Sequence, residues 1–199
     1  MQESARLIVC SSSPVAELGA DEAFSLIFGD DDTPLGDRWR VGWLVDWPDL
    51  LSDALAAYAD ETGMPVLFTE GAGDDDFVLA ALHLPGTGPD DPALTVNCWL
   101  GPKAAREAGN DLGGYSPDAA HQLALCWSRA ARRAADPGAL AVALSREGLP
   151  AKDYLRLFLY GLGVPGSGAD DLRLRFGLRG DVITPPDDPV DYQLLQLLL

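Results

Sequence analysis

The clearest pattern in the chain is a strict alternation at 38–47, RWRVGWLVDW. Trp39, Val41, Trp43, Val45 and Trp47 fall on one side, and Arg38, Arg40, Gly42, Leu44 and Asp46 on the other. Successive side chains of a strand point to opposite faces, so this reads as a strand with one face committed to a core. RLIVCSS at 6–12 is a short continuous apolar run, the pattern of a buried strand. PVLFTE (65–70), FVLAALHL (77–84) and ALTVNCWL (93–100) predict three more strands, joined by GAGDDD and PGTGPDDP, which are rich in turn residues. Connections this short bring antiparallel neighbours together, because a parallel pair needs a crossover of about a dozen residues or more.

Helical spacing alternates with these runs. EAFSLIF follows Asp21 and ends at Gly29. A second stripe of Leu50, Leu51, Ala54, Leu55, Tyr58 and Ala59 begins at Asp46 or Trp47 with Pro48 in its first turn, and Gly63 stops it. Ser116 caps a long helix predicted over 117–136, with Pro117 at its first position. Leu123, Trp127, Ala130, Ala131 and Ala134 lie on its inner side; Asp118, His121, Gln122, Arg129, Arg132 and Arg133 lie on the outer side. PGALAVALSREG and AKDYLRLFLYGLG read as two shorter helices. LRLRFGLR at 172–179 alternates and predicts a strand with Arg173 and Arg175 facing water, and PVDYQLLQLLL (189–199) a final helix behind Asp188. No internal repeat is evident. The order of elements gives an α+β fold: a mixed, largely antiparallel sheet of about five to six strands, helices packed on it and a helix-rich C-terminal part. Residues 1–199 read as one globular domain. A division into a sheet-centred body (1–102) and a helical subdomain (114–199) would fall in GPKAAREAGNDLGGYS at 101–116.

Composition adds charge to this picture. At 199 residues the chain is long enough to bury about 70% of its unfolded surface. An apolar content of 47% argues against disorder despite a formal charge of −17. There are 24 Asp against 7 Glu and 12 Arg against 2 Lys. The acids gather beside Gly and Pro, as in GDDDTP (29–34), GDDDF (73–77), PDDP (89–92), ADD (169–171) and PPDDP (185–189), so most belong on loops. The resulting field repels nucleic acid and anionic lipid and attracts cations and basic proteins. A high-GC genome or a saline habitat would bias composition in the same direction. Cys10, Cys98 and Cys126 are odd in number and form no C-x-x-C, so neither a disulfide framework nor a zinc site is indicated. LIVC at 7–10 has the outline of a lipoprotein cleavage site, but no apolar run of signal length precedes it. No run approaches the roughly 18 apolar residues of a membrane span, and a cytoplasmic location is expected.

Candidate chemistry is sparse. Gly161, Gly163 and Gly166 in YGLGVPGSGADD satisfy G-x-G-x-x-G, with Asp187 and Asp188 following at the distance of a ribose-binding acid. A dinucleotide site needs a strand before the first glycine and a helix from the third. Here helical spacing precedes Gly161, and 33 residues remain after Gly166, too few for the parallel strands of a nucleotide cleft. A helix end followed by a loop is the better account. Counted from Asp30, GDDDTPLGDRWRV fails as a calcium loop, with Leu35 at the sixth position and Val41 at the twelfth. His83, at a strand end, could serve as a base, alone or with Cys10, but no G-x-S-x-G elbow accompanies it. Arg129, Arg132 and Arg133, sharing a helix face, form the candidate anion site, against the plainer account of cations favoured near a helix C-terminus.

Two functional expectations follow. The first is a non-enzymatic acidic cytoplasmic binding protein, an inhibitor of the kind exemplified by bacterial immunity proteins. Asp30, Asp31, Asp32, Asp74, Asp75 and Asp76 would steer it onto a basic protein partner and occlude that partner's cleft. The alternative is a small-molecule enzyme, such as a metal-assisted hydrolase, with a site near His83 and Asp74–Asp76. No cofactor or resident metal, no nucleic acid and no membrane is expected in the first reading. An oligomeric structural protein is a third reading, separable by solution mass.

Overall fold

A computed structural model of the chain describes residues 5–11, 33–34, 39–43, 51–71, 76–86, 94–164, 173 and 175–178; up to residue 43, and at 51, 52, 54 and 61, it describes backbone only. Its elements are β1 (Ala5–Ser11), β2 (Thr33–Pro34), β3 (Trp39–Trp43), α1 (Leu51–Thr62), β4 (Val66–Gly71), β5 (Val78–Leu84), β6 (Leu94–Leu100), α2 (Pro102–Glu107), α3 (Pro117–Ala130), α4 (Pro137–Ser145) and α5 (Ala151–Gly161). The architecture is α+β, an antiparallel sheet with helices packed on it.

The part of the sheet with described side chains is the meander β4–β5–β6. Its register pairs Leu67 with Leu82 and His83 with both Val66 and Thr95. The reversals fall in the two turn-rich loops, as the short connections demand. Backbone pairing continues from β4 to β1, from β1 to β3 and from β3 to the two-residue β2, antiparallel throughout. The first predicted helix (22–28), the last (189–199), Trp47 and the proposed helix start at 46–47 lie outside the described residues, as do the side chains of Trp39 and Trp43.

Pleating divides the meander into two faces. Leu67, Val78, Ala80, Leu82, Leu84, Cys98 and Leu100 point one way and join a single buried cluster with Ala124 and Trp127 of α3, Leu140 and Leu144 of α4, and Leu157 and Phe158 of α5. Trp127, fully buried, donates its indole N–H to the Val66 carbonyl at 2.9 Å, so the largest side chain of this core also meets its polar requirement. Val66, Phe68, Ala81 and His83 point the other way, toward α1, whose Leu55, Tyr58 and Ala59 are buried. α1 does not reach β6 on that face: Thr95 and Asn97 are exposed, and Trp99 rests against Phe77 with ring centroids 6.0 Å apart.

Two predicted elements change form. The alternation at 172–179 does not make a strand: Arg173, Arg175 and Phe176 are helical. Nor do the two arginines simply face water. Arg175 is bound by both oxygens of Asp153, at 2.8 and 3.1 Å, and Arg173 by Asp136, carboxylates 1% and 2% exposed. Alternation identifies a strand only when the polar set belongs to solvent; here it belongs to buried counter-ions.

The helix expected over 117–136 ends instead at Ala130. Arg132 N–H donates to the Arg129 carbonyl and Arg133 N–H to the Ser128 carbonyl, the paired bonds of a Schellman turn. That turn needs a left-handed residue, and Arg132 supplies it at φ 53°. Because glycine is the usual occupant, the sequence gives no stop signal there. Arg132→Gly should raise stability by about 0.5–1 kcal/mol, the αL penalty less the added chain entropy, read as a higher urea midpoint at unchanged m.

Candidate functional site

Those residues singled out by sequence that are among the described ones lie apart in the fold. Asp76 is exposed just before β5, while His83 is the sixth residue of that seven-residue strand. At about 3.3 Å per residue they are separated by roughly 20 Å, at opposite ends of the sheet. Asp30, Asp31, Asp32, Asp74 and Asp75 lie outside the described residues, as does the side chain of Cys10.

His83 has no solvent exposure. Its Nδ1 lies 2.9 Å from the Thr95 hydroxyl oxygen, across the β5–β6 register pair, while its buried Nε2 has no hydrogen-bond partner. Burial pushes the imidazole down to about 4, because charging it here would leave an imidazolium out of water. The ring is therefore neutral at pH 7 and a weak base, poorly matched to proton abstraction there. His121, placed on the outer face of the long helix, is half-buried and lies 3.1 Å through Nε2 from the Pro137 carbonyl, linking α3 to the start of α4.

The arginine trio is also separated. Arg129 is exposed in the last turn of α3, whereas Arg132 and Arg133 lie beyond the helix end. Arg132 is exposed and Arg133 half-buried, its guanidinium pushed below the usual range by desolvation. They do not share one helix face, so the predicted clamp for an anion is not formed as drawn.

Of the glycine-rich stretch, Tyr160–Val164 are among the described residues, and helix α5 runs into its first glycine. Gly161 is the last residue of α5, and a Cβ there would meet the Leu140 side chain and backbone at 2.7–2.9 Å. Its role is close approach of α5 to α4. Gly163, at φ 74°, closes a second Schellman turn in which Val164 N–H donates to the Leu159 carbonyl and Gly163 N–H to that of Tyr160.

What the fold does assemble is a pair of buried carboxylates at neighbouring helix starts. Asp136 caps α4, accepting the Ala139 N–H at 3.0 Å, and pairs with Arg173, whose Nη1 also lies 3.4 Å from the Tyr160 hydroxyl. Asp153, in the first turn of α5, is the bidentate partner of Arg175. Phe176 sits between Arg175 and Arg146, whose guanidinium carbons lie 5.0 and 5.7 Å from its ring centre. Asp before Pro137 was a legible cap signal; the partnership with Arg173, 37 residues away, had none.

The helix on the opposite face of the sheet adds acids that loop-based reading passes over. Asp53 and Asp60 are exposed on α1, seven residues apart and so on one side of it, with exposed Ala57 between them. Asp60 also accepts the Gly86 N–H at 2.7 Å, pinning the loop after β5. Among the described residues no three His, Cys, Asp or Glu side chains form a group able to hold a metal ion. No described helix is long and apolar enough to cross a membrane. No family model, curated protein or solved structure matches the chain.

Proposed function

We propose that the protein is a non-enzymatic acidic binding protein that docks on a basic protein partner and occludes its positive surface, as inhibitors of the immunity type do. The observation that carries this reading is the unequal distribution of charge. Residues 1–93 hold 19 acids and three bases, whereas residues 94–164 hold six acids and eight bases. The acidic excess thus lies in the N-terminal half of the chain, where Asp53 and Asp60 are exposed on α1 and Asp76 is exposed before β5. A one-sided field orients a partner before contact and raises the association rate, the use to which inhibitors of charged enzymes put such surfaces. In this reading residues 1–199 act as one cytoplasmic domain built on a sheet of about five to six strands, with the Asp30–Asp32 and Asp74–Asp76 loops extending the acidic surface. Among the described residues, the distance between His83 and Asp76 and the weak basicity of His83 favour this reading over the hydrolase alternative.

The test begins with capture of partners from lysate of the source organism at low salt, eluted by a salt gradient, followed by stopped-flow association with the purified partner. Asp53→Asn/Asp60→Asn/Asp76→Asn should retain the wild-type melting temperature and slow association by about three- to tenfold at low ionic strength, converging with wild type at high salt. His83→Ala should leave binding intact if the variant folds. Retention of no basic protein, or an association rate indifferent to both charge and salt, removes the basis of the proposal.

A further inference from the structure

The two edges of the sheet are built differently. Strand order is β2-β3-β1-β4-β5-β6, so β2 and β6 are the edges. An edge strand presents a row of backbone N–H and C=O groups to any other extended chain, and proteins blunt it with short length, proline, charge or a bulge. β2 is blunted: it has two residues, and the second is Pro34. β6 carries none of these devices. Its seven residues, LTVNCWL, include no charge, proline or glycine, and its register with β5 runs without a slip from Leu84↔Leu94 to Val78↔Leu100. The uncharged run continues from Ala93 to Pro102, in a chain of formal charge −17. Among the described residues, no backbone group outside β5 bonds to β6.

The buried Tyr115 hydroxyl lies beside the Trp99 backbone N–H without completing a hydrogen bond to it, which closes the C-terminal end of this edge. The N–H and C=O of one residue leave a strand on the same side, and alternate residues on opposite sides, so Thr95 and Asn97 face outward with Trp99. The open stretch is therefore Leu94–Cys98, centred on Val96. We propose that this stretch is an interaction surface for a second copy of the chain, β6 pairing antiparallel with β6 of the partner subunit about a two-fold axis at Val96. The strand is self-complementary in that register. Thr95 stands opposite Asn97 of the partner subunit, and the two exchange both backbone bonds; their side chains, exposed within one copy, are a hydroxyl and an amide. On the core face Val96 meets Val96 of the partner subunit, and Leu94 meets Cys98 of the partner subunit. Leu94 and Val96 are the residues of that face left half-buried within one copy. No charge enters the pairing, so two copies that repel at a distance meet without opposing acids. A basic partner gains nothing from this edge, which holds no acid to attract it.

Sedimentation equilibrium of the full-length protein, from micromolar to near-millimolar concentration, tests this. A reversible monomer–dimer equilibrium is expected, its dissociation constant falling by about tenfold or more from low to high ionic strength as salt screens the repulsion between two acidic copies. That dependence is opposite in sign to the weakening by salt expected for a basic partner, so the two associations are distinguishable. Asn97→Glu, which sets two carboxylates diagonally across the paired strands, should weaken the dimer by about tenfold. Ala57→Glu, the same charge change at an exposed position of α1, should weaken it by about twofold or less. A wild type that stays monomeric at every concentration and salt overturns the proposal, whether or not the variants fold. So does a dimer that Asn97→Glu and Ala57→Glu weaken equally, since another surface would then join the copies.

Discussion

Replacing Gly163 with alanine should cost about 3 kcal/mol or more, combining a left-handed backbone penalty with overpacking against fixed atoms. The residue sits at φ 74°, and its Cβ would fall on the Ala134 carbonyl oxygen, with the Arg133 Cβ 3.0 Å away. Neither obstacle is the free end of a flexible side chain, so the loop after α3 or the end of α5 has to move. Moving α5 is costly because the Leu162 and Val164 side chains beyond its end are buried and Gly161 already brings the helix against Leu140. Moving the loop disturbs Asp136, whose N–H donates to the Gly161 carbonyl at 2.9 Å and whose side chain both caps α4 and holds Arg173. Urea denaturation should show the midpoint falling with little change in m; a loss under about 1 kcal/mol would mean that this contact is looser than drawn. Gly148, at φ 75° with nothing within 4 Å of its built Cβ, is the control. Alanine there should incur only the backbone penalty, about 1 kcal/mol.

The contrast between these glycines shows what a sequence can state. The G-x-G-x-x-G spacing invited a nucleotide, and only the helical spacing of Leu155, Phe158, Leu159 and Leu162 before it argued for a helix end. α5 bears out that local argument because hydrophobic periodicity reports burial directly. The same is true of β4, β5 and β6, where apolar runs bounded by turn residues were legible as a meander. Reading failed where a polar side chain had a distant partner. Arg173 and Arg175 alternate with leucine and look solvated, yet their carboxylates lie 37 and 22 residues earlier in the chain, a pairing that no local window contains. It failed again at Arg132, where tertiary packing imposes a conformation that the residue type disfavours. The candidate acids were legible as a composition but not as a surface. Asp53 and Asp60 on α1 carry the exposed acidic face in a helix read only for its apolar stripe.

His83 makes the second large effect a matter of pH. The unfolded chain carries a histidine that titrates near the ordinary 6.5, whereas the folded one is pushed down to about 4 by burial. Below pH 6.5 the unfolded state binds a proton that the folded state refuses, so stability is complete above pH 6.5 and declines as the pH falls. The slope approaches about 1.4 kcal/mol per pH unit, and the loss reaches about 3 kcal/mol near pH 4, below which both states are protonated and no more is lost. Neutralisation of carboxylates occurs over a similar range and, in a chain of charge −17, relieves repulsion in the opposite direction. The bare pH profile of the wild type therefore does not isolate the histidine. The difference in unfolding free energy between wild type and His83→Gln does, since the carboxylates are common to both. That difference should shrink by about 3 kcal/mol between pH 7 and pH 4 in urea titrations, whatever its value at pH 7. A difference that stays constant would mean that the ring takes up its proton in the folded state as readily as in the unfolded one, with Nε2 reaching water. The buried, unpartnered nitrogen, on the strand that α1 packs against, would then have to be exposed by movement of that helix, and the acidic face that α1 carries would move with it.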